Sequence, residues 1–218
     1  MNENTSMTVT TADQSLLAEF SGGAAGDVEM MIGIGLVKDS DAVFFQYMGE
    51  EQTKALMLDS GKPLTRLANV TLTGISIAED VGEFKSTKLN LYLQSSQGRV
   101  IMLTSGLATI WSQCVLTALQ GLYANGGLTD VFTLDTWKGN SKMKPCFAGI
   151  RNNGVKVTDE DLKNALAEAR ADRDNQKVEQ IMRDTVAVLA AASGTQEVEV
   201  AVEEPISNRE LAATAGDF

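Results

Sequence analysis

The sequence predicts a mainly β fold of the α+β class, and three observations carry that prediction. Apolar and polar residues alternate, at the period of a half-buried strand, over Leu64 to Ile77 and Lys88 to Leu93. A single helical stripe, Ala108 to Tyr123, interrupts the strand patterns, with Ile110, Trp111, Cys114, Val115, Ala118, Leu119 and Leu122 on one broad face. A second helical pattern begins only after Thr158. With 218 residues, 44% of them hydrophobic and 22% charged, the chain can bury one sizeable core and carry appendages.

The elements follow in order. Residues 1–21 are polar and rich in Ser and Thr, which predicts a flexible N-terminus. Val28 to Val37 is an apolar run and Ala42 to Tyr47 a second strand candidate, while Glu50 to Leu58 is expected to be a short helix. This part, 28–58, suggests no function of its own. In the long strand Leu64 to Ile77, Val70 and Leu72 share one parity, whereas Ile75 and Ile77 take the other. A bulge at Gly74 accounts for the change of phase and bends the strand as a small barrel requires.

Lys88 to Leu93 sets Leu89, Leu91 and Leu93 on one face and Lys88, Asn90 and Tyr92 on the other. Gln94 to Gly98 is a turn, and Arg99 to Thr104 the next strand. The helix of 108–123 stops at Asn125-Gly126-Gly127. Val131 to Trp137 and Cys146 to Arg151 are two further strands, and Asn153-Gly154 a tight turn. Thr158 reads as an N-cap before Asp159, Glu160 and Asp161, and the helical spacing from Leu162 to Leu189 breaks near Asp172 to Asn175.

Strand, strand, strand, helix, strand, strand is the element order of an OB-fold, a small Greek-key barrel. The expected organisation is an OB-like β domain at 22–157, with its barrel at 61–157. A C-terminal helix at 158–192 and an acidic, disordered tail at 193–218 follow it.

Charge and composition narrow the chemistry. The net charge is −11, yet residues 61–157 hold ten bases against five acids, a local +5 between two acidic flanks. Histidine is absent, which excludes His-based triads and HExxH zinc sites. Cys114 and Cys146 form no CxxC pair and read as small buried hydrophobes. Asp39-Ser40-Asp41 lacks the glycine and glutamate of a calcium loop, and Asp159 to Asp161 is explained by a helix start. No cofactor, no metal and no enzymatic activity are expected. No apolar run reaches the roughly 20 residues that span a bilayer, and the N-terminus lacks a signal-peptide pattern, so a soluble, cytoplasmic protein is expected.

Two loops draw attention as binding elements. Lys138-Gly139-Asn140-Ser141-Lys142-Met143-Lys144 carries three lysines and no acid, and Trp137 directly precedes it. The first loop, Ala78 to Thr87, contains Phe84 and Lys85, with Lys88 just beyond. Tyr92 shares the parity of Lys88, Phe147 shares that of Arg151, and Arg99 opens the third strand. Cations that follow phosphates and aromatic faces that stack bases are what a single-strand binder needs. The competing reading is a solvated basic loop. Trp111 lies in the helical stripe and reads as core, and Trp137 and Phe132 sit on opposite parities of one strand.

The chain ends Gly216-Asp217-Phe218 after an acidic stretch that includes Glu197, Glu199, Glu203, Glu204 and Glu210. In this it resembles the single-stranded DNA-binding proteins of bacteria and of T7-like phages, in which an OB domain precedes an acidic tail finishing in phenylalanine. The resemblance implies binding of single-stranded DNA, protection of that strand in replication or recombination, and recruitment of partner proteins through Asp217 and Phe218. For a phage-encoded chain it implies the host cytoplasm. The tail departs from the pattern in being less acidic, with Leu211 to Ala215 just before the end, and in the helix that precedes it. The alternative is a non-enzymatic structural or assembly protein that binds no nucleic acid. Homo-oligomerisation through the helix of 158–192 stays open.

Overall fold

The computed structural model describes residues 28–35, 40–47, 53–82, 84–140 and 144–194. Among them the order is β1 (Val28–Ile34), β2 (Phe44–Tyr47), β3 (Thr53–Ala55), β4 (Arg66–Val81), β5 (Ser86–Ser95), β6 (Val100–Gly106), α1 (Ile110–Ala124), β7 (Phe132–Lys138), β8 (Cys146–Asn152), β9 (Val155–Val157), α2 (Glu160–Ala171) and α3 (Asn175–Ser193). All nine strands join one sheet in the order β3-β2-β1-β6-β5-β4-β7-β8-β9. Neighbours are antiparallel except β1 and β6, which run parallel. A mainly β chain of the α+β class results.

The 16-residue β4 organises the sheet, pairing with β5 on one edge and, through its first residues, with β7 on the other. Three register shifts bend it. One falls between Leu72 and Gly74, where Thr73 is the extra residue and the apolar parity changes as the sequence requires. The others lie between Leu67 and Val70 and between Ala78 and Val81, each beside a left-handed residue, Asn69 (φ 55) and Asp80 (φ 52). Asn and Asp are the non-glycine residues that tolerate this conformation best.

The sheet curls. Lys138 Nζ, at the end of β7, donates to Ser40 O at 2.7 Å, four residues before β2 begins. In the sheet order β2 and β7 stand five strands apart, about 24 Å in a flat sheet. Curling turns one face inward, and Ile32, Phe44, Ile75, Leu91, Leu103 and Leu134 share a single core with α1. Trp111 is 1% exposed there, its indole nitrogen donating to Thr136 Oγ1 at 3.2 Å, so the core assignment of this residue holds. Thr109 caps α1 by accepting from Ser112 N at 3.2 Å.

α3 packs along β4 and α1. Arg183 bridges Glu179, one turn earlier at 2.6 Å, and Glu79 on β4, while Thr87 donates to the same Glu79 at 2.9 Å. These interactions fasten the helix to the β4–β5 hairpin.

Several expectations are corrected. The expected helix over Glu50 to Leu58 is, in its described part, the strand β3 followed by a bridge from Met57 to Pro63. Leu56 N donates to Phe44 O at 3.0 Å and Leu56 O accepts from Leu64 N at 2.9 Å, so this backbone is satisfied in an extended form on both sides. The expected ten-residue loop Ala78 to Thr87 is mostly strand, since β4 runs on to Val81 and β5 starts at Ser86. The cap of α2 is Asp159, not Thr158: its carboxylate accepts from Leu162 N at 2.8 Å. The break near Asp172 separates α2 from α3. Asn153 (φ 49) and Gly154 (φ 80) form the tight turn, and β9 returns beyond it as a strand of its own.

α1 approaches the chain ahead of α2 closely. Asp159 N donates to Thr117 O at 3.0 Å, and a Cβ on Gly121 would stand 2.7 Å from the Thr158 carbonyl carbon. Backbone cannot step aside as a side chain can. Gly121→Ala is therefore expected to destabilise the fold by about 1–3 kcal/mol, read as a lower urea midpoint at unchanged slope.

Candidate functional site

The outward face of the β4-β7-β8-β9 part of the sheet assembles a polar and aromatic surface. On β7, Leu134 and Thr136 point into the core and Asp135 and Trp137 point out; on β8, Ala148 and Ile150 are buried. Phe147, Gly149 and Arg151 take the opposite parity. The two-residue turn after β8 sets Lys156 across from Arg151, and the β4–β7 pairing sets Arg66 across from Asp135. Arg66, Asp135, Trp137, Gly149, Arg151 and Lys156, together with Thr65 and the edges of Thr136 and Ile150, line a groove of about 410 Å³.

Trp137 is 44% exposed and stacks on Phe147, with ring centroids 6.0 Å apart and planes at 15°. Its six-membered ring lies 3.4 Å from where a Cβ on Gly149 would stand. The indole thus lies over bare backbone.

Asp135 joins the cations. Its Oδ1 accepts from Arg66 Nε at 2.6 Å and its Oδ2 from Arg151 Nε at 3.1 Å. Burial pushes the Asp135 carboxyl up, but the hydrogen bonds and charges of Arg66 and Arg151 outweigh it and hold the group below its ordinary value. The hydrogen bond to Asp135 raises Arg66 in turn.

Of the residues singled out in the sequence, the structure brings together Trp137, Phe147 and Arg151. Phe84, 93% exposed, and Lys85 occupy the tip of the β4–β5 hairpin. Lys88 pairs with Ala78, twelve residues along β4 from Arg66, or about 40 Å of straight strand. Tyr92 sits opposite Gly74 and Met102, and Arg99 in the β5–β6 turn, where its backbone nitrogen donates to Ser95 Oγ. These residues do not line the groove. Nor does Lys138, whose ammonium is bound to Ser40 O. Lys144 is exposed in the β7–β8 loop; Lys142, Asp217 and Phe218 lie outside the described residues.

Phe132 is buried, so the opposite parities of Phe132 and Trp137 do separate core from surface. Cys114 and Cys146 are free and half-buried, and burial raises the Cys146 thiol against a weaker pull from Lys138. Among the described residues, no three His, Cys, Asp or Glu side chains gather as a metal site, and no helix is long and apolar enough to cross a membrane.

Sequence reasoning missed Arg66, Asp135 and Lys156 as members of one surface. Lys156 was recoverable, because a two-residue turn at Asn153-Gly154 dictates its pairing with Arg151. Arg66 needed the β4–β7 pairing, which no local pattern reveals.

The ion pairs of Asp135 carry a pH signature. A carboxyl held lower in the folded than in the unfolded chain adds stability above its unfolded value, and loses it as pH falls through the folded one. The stability difference between the wild type and Asp135→Asn should therefore be constant at neutral pH and shrink once pH drops below 3.8, the ordinary value. Urea titrations of both proteins across that range test it. A difference independent of pH would show that the arginines do not act on the ionised acid.

No family model matches the chain, and neither a curated protein nor a solved structure does.

Proposed function

We propose that the chain binds single-stranded DNA, without strong sequence preference, on the outward face of β7 and β8. The observation that carries this reading is the half-exposed Trp137, stacked on Phe147 and flanked by Arg66, Arg151 and Lys156 along one groove. Aromatic faces accept any base, and cations beside them follow the phosphates. The net positive charge of residues 61–157, ten bases against five acids in an otherwise acidic chain, supports the same reading.

The architecture is read as OB-like. β6, β5, β4, β7 and β8 are consecutive neighbours, and α1 falls between β6 and β7. The barrel is left open: β1 takes the far edge of β6 and β9 that of β8. On this reading the domain protects single strands during replication or recombination, and the tail ending in Asp217-Phe218 recruits partner proteins. The chain then works as a binder and not as an enzyme, in the cytoplasm where such strands are found.

Titration with oligo-dT, followed by tryptophan emission, tests the proposal. Trp111 is buried, so quenching should come from Trp137. Trp137→Ala, read by the anisotropy of a labelled oligo-dT because it lacks the reporting indole, should weaken binding by about 1–3 kcal/mol, the worth of one stacked base. Lys156→Ala should flatten the log–log salt slope by about 0.7. Duplex of the same length should bind more weakly, and equal affinity would sink the stacking model. No binding of either form by the intact chain would favour the assembly-protein alternative.

A further inference from the structure

We infer that Arg66, Asp135 and Arg151 form a phosphate clamp beside the Trp137 platform, with Asp135 as its positioning residue. The inference rests on the single-strand reading for its natural ligand, a phosphodiester next to a stacked base.

Asp135 engages only the Nε of each arginine, one oxygen to each. A guanidinium carries five N–H groups, so each arginine keeps its four terminal ones for another acceptor. Among the described residues neither arginine has a further side-chain partner. Depth separates the three groups. The Asp135 side chain is 20% exposed, against 60% for Arg66 and 50% for Arg151, so the acid lies beneath and the guanidinium groups lie outside. An incoming anion meets two fixed cations before it meets the carboxylate.

Fixing matters because a free arginine side chain loses much rotamer freedom when it binds. Here both are held before any ligand arrives. The cross-strand neighbour of Asp135 is Gly149, which puts no side chain between the clamp and the indole. Asp135 and Trp137 are alternate residues of one strand on one face, about 7 Å apart, within the span of a single nucleotide. Base on Trp137 and phosphate on the arginines is therefore a compatible pair of interactions.

The clamp makes a prediction opposite in sign to that of charge alone. Removing Asp135 makes the surface more positive, which by Coulomb attraction strengthens anion binding. If Asp135 positions the arginines, its removal weakens binding instead.

Wild type, Asp135→Asn and Asp135→Ala are to be titrated with inorganic pyrophosphate, read by Trp137 emission, and with oligo-dT across a salt series. Pyrophosphate should give a saturable response in the wild type. That response should be about fivefold weaker in Asp135→Ala, and intermediate in Asp135→Asn, which keeps one strong acceptor. The oligo-dT salt slope of Asp135→Ala should fall by about 0.7 for each phosphate that the arginines no longer neutralise. An unchanged or tighter response to pyrophosphate in Asp135→Ala overturns the clamp, as does a wild type that does not respond. If Asp135→Ala does not fold, Arg66→Ala and Asp135→Asn carry the same comparison, and wild-type affinity in both overturns it. Binding of pyrophosphate without oligo-dT would keep the clamp and reject the single-strand reading. Binding of oligo-dT without pyrophosphate would do the reverse.

Discussion

A strand of sixteen residues can serve two partners only if it bends, and the bending of β4 is the constraint on which the rest of this structure depends. Its first residues must reach β7 while most of its length stays paired with β5. Each of the three extra residues leaves the ladder locally unpaired and adds twist. Without them the inward parity set by Leu67 would carry Val70 and Leu72 out to solvent, because both lie an odd number of residues away. The bulge between Leu67 and Val70 returns both to the core. The next, between Leu72 and Gly74, does the same for Ile75, which is again an odd step beyond Leu72. Curvature and core continuity therefore share one cause.

The surface consequence follows from the same pairing. Arg66 stands opposite Asp135 only because the β4–β7 register is set in the segment just before the first bulge. Arg151 reaches the same acid diagonally from β8, where its direct partner is Thr133. Three strands thus contribute to one ion-paired group. Such groups are weak sources of stability when exposed. Their value here lies in geometry, since the acid fixes where two long, flexible cations stand.

Local patterns revealed what local physics decides. The phase change around Gly74, the core position of Trp111, the split between Phe132 and Trp137 and the break between α2 and α3 were all legible, because each depends on periodicity or turn chemistry within a few residues. Other features depend on partners distant in sequence. Thr53 to Leu58 looks helical in isolation, yet becomes extended because Phe44 and Leu64 offer backbone partners on either side. Lys138 looked like a phosphate ligand in a basic loop, but curling of the sheet brings Ser40 O within its reach. The parallel β1–β6 pairing, which gives the N-terminal strands their place, has no local signature at all.

An overall charge of −11 does not preclude a cationic groove, because screening confines exposed charges to a neighbourhood of about 8 Å at physiological ionic strength. What counts is the sign within that distance. Around Trp137 the charged groove residues are Arg66, Arg151, Lys156 and the single acid Asp135, whose charge is shared between two guanidinium groups. Glu79 and Glu179 are matched by Arg183. The groove is thus positive for a ligand bound within it. On the proposed single-strand reading, such a groove favours ligands that can insert a base as well as present a phosphate, and duplex, whose bases are hidden, gains only the phosphate contacts.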